Sequence, residues 1–420
     1  QAQDWYLDYQ HSFHYFPEVK DAETGEITQR EEYQLWLEKY APRDEHKNDT
    51  EIVVPEYGAA LHSEVWTDTT MWTGIDDKII GYRTVLASKS SSGRGTYDSL
   101  WKAGESVITS ITIEDGVTTQ SDCSMMFYSM DELTELNISG LDTSNATNMH
   151  SMFASNENLK KLDLTSKQLW PFALPYKQVS WDTSNVTDMS SMFEWCLGLE
   201  ELTLGESFDT SNVTNMGNMF ASLRSIRTLD LTMLDTSKVT SMTGMFQFCS
   251  EEITDDSWNV IGKKGLEEIR YGEKWNTENV ESMYYMFNGC KNLKTLDVSG
   301  FDTSSVTTMG SMFDECEDLK TLDVSGFDTS KVADNGLMGM FCFCKSLESL
   351  NVGGFQIPED AYVNMFSGCE SLTEIDLSGW GDVKPKSMGS MFSGCSSLER
   401  VIWPTGLDTS AVTDMDYMFE

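Results

Sequence analysis

The chain has 420 residues, enough for two or three ordinary domains or one long repeat array, and 40% of them are hydrophobic, so a sizeable core is available. The formal charge is −39, from 68 acidic and 29 basic residues, and a surface this acidic repels nucleic-acid backbones and anionic lipid. No apolar run approaches the length of a membrane-spanning helix, and no signal-peptide pattern is present.

The first region, residues 1–105, is read as an acidic, β-rich cap. Residues 1–56 hold fourteen Asp/Glu against five Lys/Arg. "EEYQLWLEKY" (31–40) carries Tyr33, Leu35, Leu37 and Tyr40, a spacing that fits strand or helix. "IVVP" (52–55) reads as a strand ending at Pro55, and "SKSSSGRG" (88–95) as a loop. The opening "QAQDWY" is compatible with an end left by cleavage. The stop at Phe419-Glu420, inside a repeat, suggests a chain that continues, with any anchor lying beyond this stretch.

From residue 106 to 420 one phrase recurs: "DTSNVTDMSSMF" (182–193), "DTSNVTNMGNMF" (209–220), "DTSSVTTMGSMF" (302–313) and "DTSAVTDMDYMF" (408–419). Aligning on Met-Phe gives about eleven repeats, ending at Phe127, Phe153, Phe193, Phe220, Phe246, Phe287, Phe313, Phe341, Phe366, Phe392 and Phe419. Most steps are 25–28 residues; two are 40 and 41 and mark insertions near 166–179 and 250–265. A period of this size is the signature of a solenoid. In each unit L-x-x-L-x-[LV], as at Leu319, Leu322 and Val324, predicts a short strand with alternate residues in a shared core. V-T-x-M predicts a second extended wall. M-F-x-x-C predicts a helical or 3₁₀ corner. The fold class is therefore a mainly β, leucine-rich-repeat-like solenoid of short parallel strands joined by such turns.

These residues resemble the repeats of the BspA-like leucine-rich surface proteins, in the group that reads "DTSNVTDMSxMFxxC". The likeness covers roughly residues 105–420, and "TEIVVPEYG" (50–58) and "KIIGYRTVL" (78–86) resemble the small β-rich cap that precedes such arrays. The resemblance implies a secreted or cell-surface protein acting as an adhesin or interaction scaffold. It brings no enzymatic motif. "GFQIPEDAYVNMF" (354–366), "GWGDVKPKSMGSMF" (379–392) and Trp275-Asn276-Thr277 depart from the pattern.

The candidate sites divide into structural ladders and irregular segments. Phe193, Phe220, Phe287, Phe313, Phe366 and Phe392 are expected to stack in the core. Cys196, Cys290, Cys316, Cys369 and Cys395, with Cys249 and Cys344, lie three residues after the motif Phe and read as small buried hydrophobes rather than bridges. Cys123 and Cys342 fall off that ladder and are the better candidates for reactivity. Asp182, Asp209, Asp235, Asp302, Asp328 and Asp408 read as turn caps, because the Gly-rich spelling of calcium-binding β-rolls is missing. Of the five histidines, His11 and His14 lack a clear third ligand. No nucleophile elbow, P-loop or H-E-x-x-H occurs, so neither enzyme activity nor a cofactor is expected. Sequons occur at Asn48, Asn137, Asn145, Asn185 and Asn212; three of them are part of the turn phrase, and they read as structural unless the source glycosylates secreted proteins. The insertions carry Trp170, Phe172, Leu174 and Tyr176, and Trp258. These either fold back onto the solenoid wall or project as a partner-binding surface.

The expectation is a non-enzymatic recognition protein for protein or glycan partners that are basic or neutral. The alternative is a structural subunit of an extracellular fibre, sheath or surface layer, a homo-oligomer or filament.

Overall fold

A computed structural model describes residues 121–165, 181–255, 257–358 and 362–420, together with the strands that precede them. Residues 166–180 lie outside the described residues, as do 38–66 and 87–107. The chain divides into two compact units: Gln1–Asp188 with Trp195–Asn212, and Met189–Glu194 with Val213–Glu420.

In the first unit two antiparallel pairs join the opening coils. His11–Phe16 pairs with Glu32–Leu37, which runs parallel to Ile108–Ile113 and so leads on to Glu135–Asn137. Thr67–Thr73 pairs with Ile79–Leu86, which continues in parallel through Val117–Thr119 to Leu141–Asp142. The ambiguous segment at 31–40 is thus a strand at Glu32–Leu37. Each sheet carries the hydrogen bonding of these preceding strands into a wall of the first repeats.

The repeats form coils whose walls pair in parallel. On the strand wall of the first unit Lys161–Asp163 pairs with Glu201–Thr203; on that of the second, Thr228–Leu231 pairs with Glu268–Tyr271, Thr321–Asp323 with Ser349–Asn351, and Glu374–Asp376 with Arg400–Ile402. The middle residues Leu162, Leu322 and Ile375 are buried between exposed neighbours, as the period-two pattern requires. On the V-T-x-M wall pairing contracts to single bridges, Asn148↔Asp188 in the first unit and Asn215↔Ser241↔Ser282↔Thr308 in the second.

The Met-Phe corner is not helical, contrary to the sequence expectation. The described residues contain no α-helix, and the two 3₁₀ turns, Ser378–Trp380 and Thr409–Ala411, lie elsewhere in the unit. The backbone N–H groups show why. Tyr285, Phe287 and Gly289 donate to Gly310, Met312 and Asp314 of the next coil at 3.1, 2.9 and 2.8 Å. The intervening Met286, Asn288 and Cys290 donate three residues back, to Met283, Tyr285 and Phe287. A helix would keep every N–H inside its own segment; here half leave it. The alternation needs left-handed residues two before and two after the Phe, and Tyr285 (φ 59°) and Gly289 (φ 73°) supply them. Ser311 and Glu315, and Ser191 with Trp195, do the same at other coils. A non-glycine residue there costs about 1–2 kcal/mol, offset by the bond to the next coil.

Inside the corner the phenylalanines stack. Phe193, Phe220, Phe246, Phe287, Phe313, Phe341, Phe366, Phe392 and Phe419 follow one another in the second unit with ring centroids 5.4–5.8 Å apart. Phe127 and Phe153 stack likewise in the first. Every ring before Phe419 is buried.

Away from the corner, threonines of the Asp-Thr-Ser phrase bridge successive coils. Thr303 Oγ1 donates to the carbonyl of Asp328 (3.0 Å) and accepts from its N–H (2.7 Å), one coil on. Thr143 does this with Asp182, Thr236 with Asn276 and Thr329 with Gln356. These threonines are 0–1% exposed. One hydroxyl thereby satisfies a donor and an acceptor where the strand ladder is interrupted.

Two substitutions separate the ring stack from the hydroxyl clamp. Phe313→Ala leaves a cavity between Phe287 and Phe341 and is expected to lose about 3–5 kcal/mol in urea unfolding; a loss under about 1 kcal/mol would mean that the ring contributes no packing. Thr303→Val keeps the shape but strands the Asp328 N–H, with an expected loss of about 1–3 kcal/mol. Thr303→Ser should recover most of it in the same measurement.

Candidate functional site

The second insertion is an antiparallel hairpin, Ser250–Thr254 against Val260–Gly265, with a bulge between Ile253 and Thr254. Its base is tied to the next coil. Ser250 Oγ donates to Gly289 O (2.6 Å) and accepts from Lys291 N (2.8 Å), and Asn292 Nδ2 donates to Gly265 O (3.1 Å). Gly265 has φ 120°, and a Cβ there would collide with the backbone of Cys249 and Ser250, so the chain can leave the hairpin this way only through glycine.

A charge network holds the hairpin down over the coils. Glu317, whose side chain is 7% exposed, meets Lys263 of the hairpin (2.8 Å), Lys345 (3.0 Å) and Lys291 (3.5 Å). Lys263 also reaches Asp318 (2.7 Å), and Lys291 reaches Glu252 (3.2 Å) and Glu315 (3.1 Å). Burial alone would push the Glu317 carboxyl up, but the hydrogen bonds from Lys263 and Lys345 outweigh it and hold it below the usual glutamate range. Asp314, three residues earlier, is pushed the other way: burial, with repulsion from Glu315, raises it to about 6, and its Oδ1 has no hydrogen-bond partner.

At the tip, Asp255 closes the turn. Its carboxylate accepts from the N–H groups of Ser257 (2.8 Å) and Asn259 (2.9 Å) and from Asn259 Nδ2. The backbone N–H groups of Asp255 and Trp258 close the turn at 2.9 and 3.0 Å. The turn leaves Trp258 with 86% of its surface in solvent, on a hairpin that also exposes Ile253, Val260 and Ile261. The coil beneath adds Phe248, half-exposed and packed against the position where a Gly289 Cβ would stand. Phe343 stands over Gly368 in the same way.

The family model described as "Mycoplasma protein of unknown function, DUF285" matches residues 115–173, 167–269, 263–359 and 360–420. The chain belongs to the DUF285 family. No curated protein matches it. Two solved structures are similar: a leucine-rich repeat protein from Bacteroides ovatus ATCC 8483, at 16% identity over 94% of this chain and 88% of that one with a TM-score of 0.32, and one from Eubacterium ventriosum ATCC 27560, at 15% identity over 80% and 90% with a TM-score of 0.33.

Within the DUF285 repeats the sequence-predicted residues fall into distinct places. Trp170, Phe172, Leu174 and Tyr176 lie outside the described residues. Trp258 is at the hairpin tip. Asp182, Asp209, Asp235, Asp302, Asp328 and Asp408 each accept from the N–H of the serine two residues on, at 2.9–3.1 Å. Asp163, Asp230, Asp297, Asp323 and Asp376 likewise accept from the N–H of the serine or threonine two residues on. Among the described residues no group of three or more metal-ligating side chains is placed to hold an ion. All nine cysteines are free thiols. Cys196, Cys290, Cys316, Cys369 and Cys395 each donate Sγ–H to the motif Phe carbonyl of the preceding coil, at 3.0–3.4 Å. Asn156 Nδ2 takes over that bond to Phe127. Cys123 and Cys342, singled out for reactivity, are buried and their thiols are pushed up to about 12 by burial, which removes the thiolate that reactivity needs. Three of the asparagines in the turn phrase are rungs too: Asn185, Asn212 and Asn279 donate to the serine carbonyl one coil back. Sequence reading missed Lys263, Glu317 and Asp314, whose roles depend on contacts far along the chain.

Asp314 and Glu317 predict opposite pH limbs. The raised Asp314 contributes stability below the ordinary aspartate range and loses it as pH rises through about 6. Asp314→Asn should therefore raise the melting temperature above neutral pH and leave it unchanged below pH ~4. The lowered Glu317 contributes stability above the ordinary glutamate range and loses it as pH falls. Glu317→Gln should lower the melting temperature at neutral pH, with the deficit shrinking in acid.

Proposed function

We propose that this DUF285 chain is a non-enzymatic recognition protein, secreted or held at a cell surface, of the BspA-like motif group. In this reading residues 1–105 cap the array, the coils are the scaffold, and the hairpin at 250–265 is the arm that meets a partner. The observation that carries the reading is Trp258: a large aromatic ring left in solvent at the tip of a hydrogen-bonded turn. Tryptophan is enriched among the few residues that dominate binding energy. A recognition role also fits the ladders, since their repeated polar groups are engaged in structure. The acidic balance favours partners that are basic or neutral, such as matrix proteins or glycans. Among the described residues no helix is long and apolar enough to cross a membrane.

The test is binding of the whole chain to immobilised extracellular-matrix proteins and glycans. A specific hit is expected, and Trp258→Ala should weaken it ~10-fold or more with an unchanged melting temperature. A panel without a hit, or a hit indifferent to Trp258, would sink the reading. Ordered arrays of the native chain in negative-stain microscopy would instead support a fibre subunit.

A further inference from the structure

Ser250–Thr254 and Val260–Gly265 form a sheet of two strands, and among the described residues neither strand has a second neighbour. Folded proteins guard such edges with lysine, proline or a bulge. One bulge is present, at Ile253/Thr254. The lysines are otherwise engaged: Lys263 by Glu317 and Asp318, and Lys264 by Glu251 at 2.8 Å. Ile253 on one strand and Val260 and Ile261 on the other are 43, 52 and 66% exposed. The outer edge of Val260–Gly265 thus opens on two exposed apolar residues, with its base and the tip beyond it hydrogen-bonded.

We propose that this edge receives an extended segment of a partner protein, alternately basic and apolar, which adds to the hairpin as a third strand. The inference rests on reading 250–265 as the recognition arm. Open backbone N–H and C=O groups in register are satisfied best by another strand, while side-chain alternation sets specificity. Charge selects the sign. The ammonium groups around the hairpin and the carboxylates they meet are paired, but the cluster stays negative: Glu251, Glu252, Asp255, Glu315, Glu317 and Asp318 stand against Lys263, Lys264, Lys291 and Lys345. A lysine- or arginine-bearing strand is attracted by that balance, whereas a second copy of this chain would bring the same negative cluster. The strands are positioned before docking, so little ordering is required. Trp258 supplies an anchor beyond the strand end.

The probe is a short fluorescein-labelled peptide of alternating lysine and valine, read by fluorescence anisotropy on the full chain at physiological salt. Saturable binding is expected. It should weaken ~10-fold or more when alternate backbone nitrogens are methylated, when glutamate replaces lysine, or in Ile261→Lys, whose exposed position leaves the melting temperature unchanged. Equal binding of the methylated peptide would reduce the effect to charge attraction and overturn strand addition. Binding unaffected by Ile261→Lys would place the site elsewhere, and a hairpin-dependent dimer in light scattering would assign the edge to a second copy; both overturn the proposal. If no peptide binds while a matrix or glycan hit still depends on Trp258, strand addition fails and the recognition arm stands.

Discussion

At the Met-Phe corner every second N–H leaves its own coil and bonds to the next, and the rest of the architecture is arranged around that alternation. It forces left-handed backbone at two positions per coil, where serine, asparagine and glycine predominate but tyrosine, tryptophan, phenylalanine and glutamate are also found. It sets the coil-to-coil distance at the corner, and the phenylalanine rings fill that spacing by stacking nearly parallel. In the coils from Phe287 onward that carry the cysteine, it also leaves the Phe carbonyl accepting from its own Cys N–H with room for a second donor. The cysteine of the next coil supplies one.

The repeated phrase can then be read group by group. The aspartate accepts from the serine N–H, the threonine hydroxyl spans two coils, the asparagine reaches back to a serine carbonyl, and the thiol reaches back to a phenylalanine carbonyl. Each recurring polar group therefore has a partner inside the stack, which is why the phrase tolerates little variation in type and why it carries no spare chemistry. A group that must satisfy its neighbour cannot also be the group that discriminates a ligand, at least not without a cost in stability. What differs between coils is where discrimination can sit, and the hairpin is the largest such departure among the described residues.

Much of this was legible in the chain itself. Repeat period, strand wall, ring ladder and turn-capping aspartates all follow from spacing, because each is a local consequence of residue type. The corner was misread as helical because Met-x-x-Met-Phe-x-x-Cys has helical spacing of its apolar residues; the discriminating signal was the serine, asparagine or glycine between the two methionines. The threonine clamp was missed because threonine is usually exposed, and only the stacked geometry shows its hydroxyl between two backbones. The hairpin appeared as extra length without a shape. Gly262 and Gly265, which bracket its two lysines, gave no pairing partner in sequence. The network around Glu317 joins residues 252 to 345, a separation over which no period or motif carries information.

Charge acts on two scales here. Along the strand wall the basic residues are engaged between coils, as in Lys161 with Glu201, Arg227 and Lys294 with Glu267, and Arg400 with Glu374. Such exposed pairs add little stability each, but they leave the free charge of the surface to the carboxylates. The total of −39 does not by itself choose a partner, because charges beyond about 8 Å are screened at physiological salt. Selection falls to the charges within that reach of the contact. At the hairpin these are six carboxylates, one of them the buried Glu317 that fixes three lysines, against four ammonium groups. The same network that holds the arm in place thus removes the positive charge that would otherwise repel a basic strand. Its rigidity and its preference for basic segments have one origin.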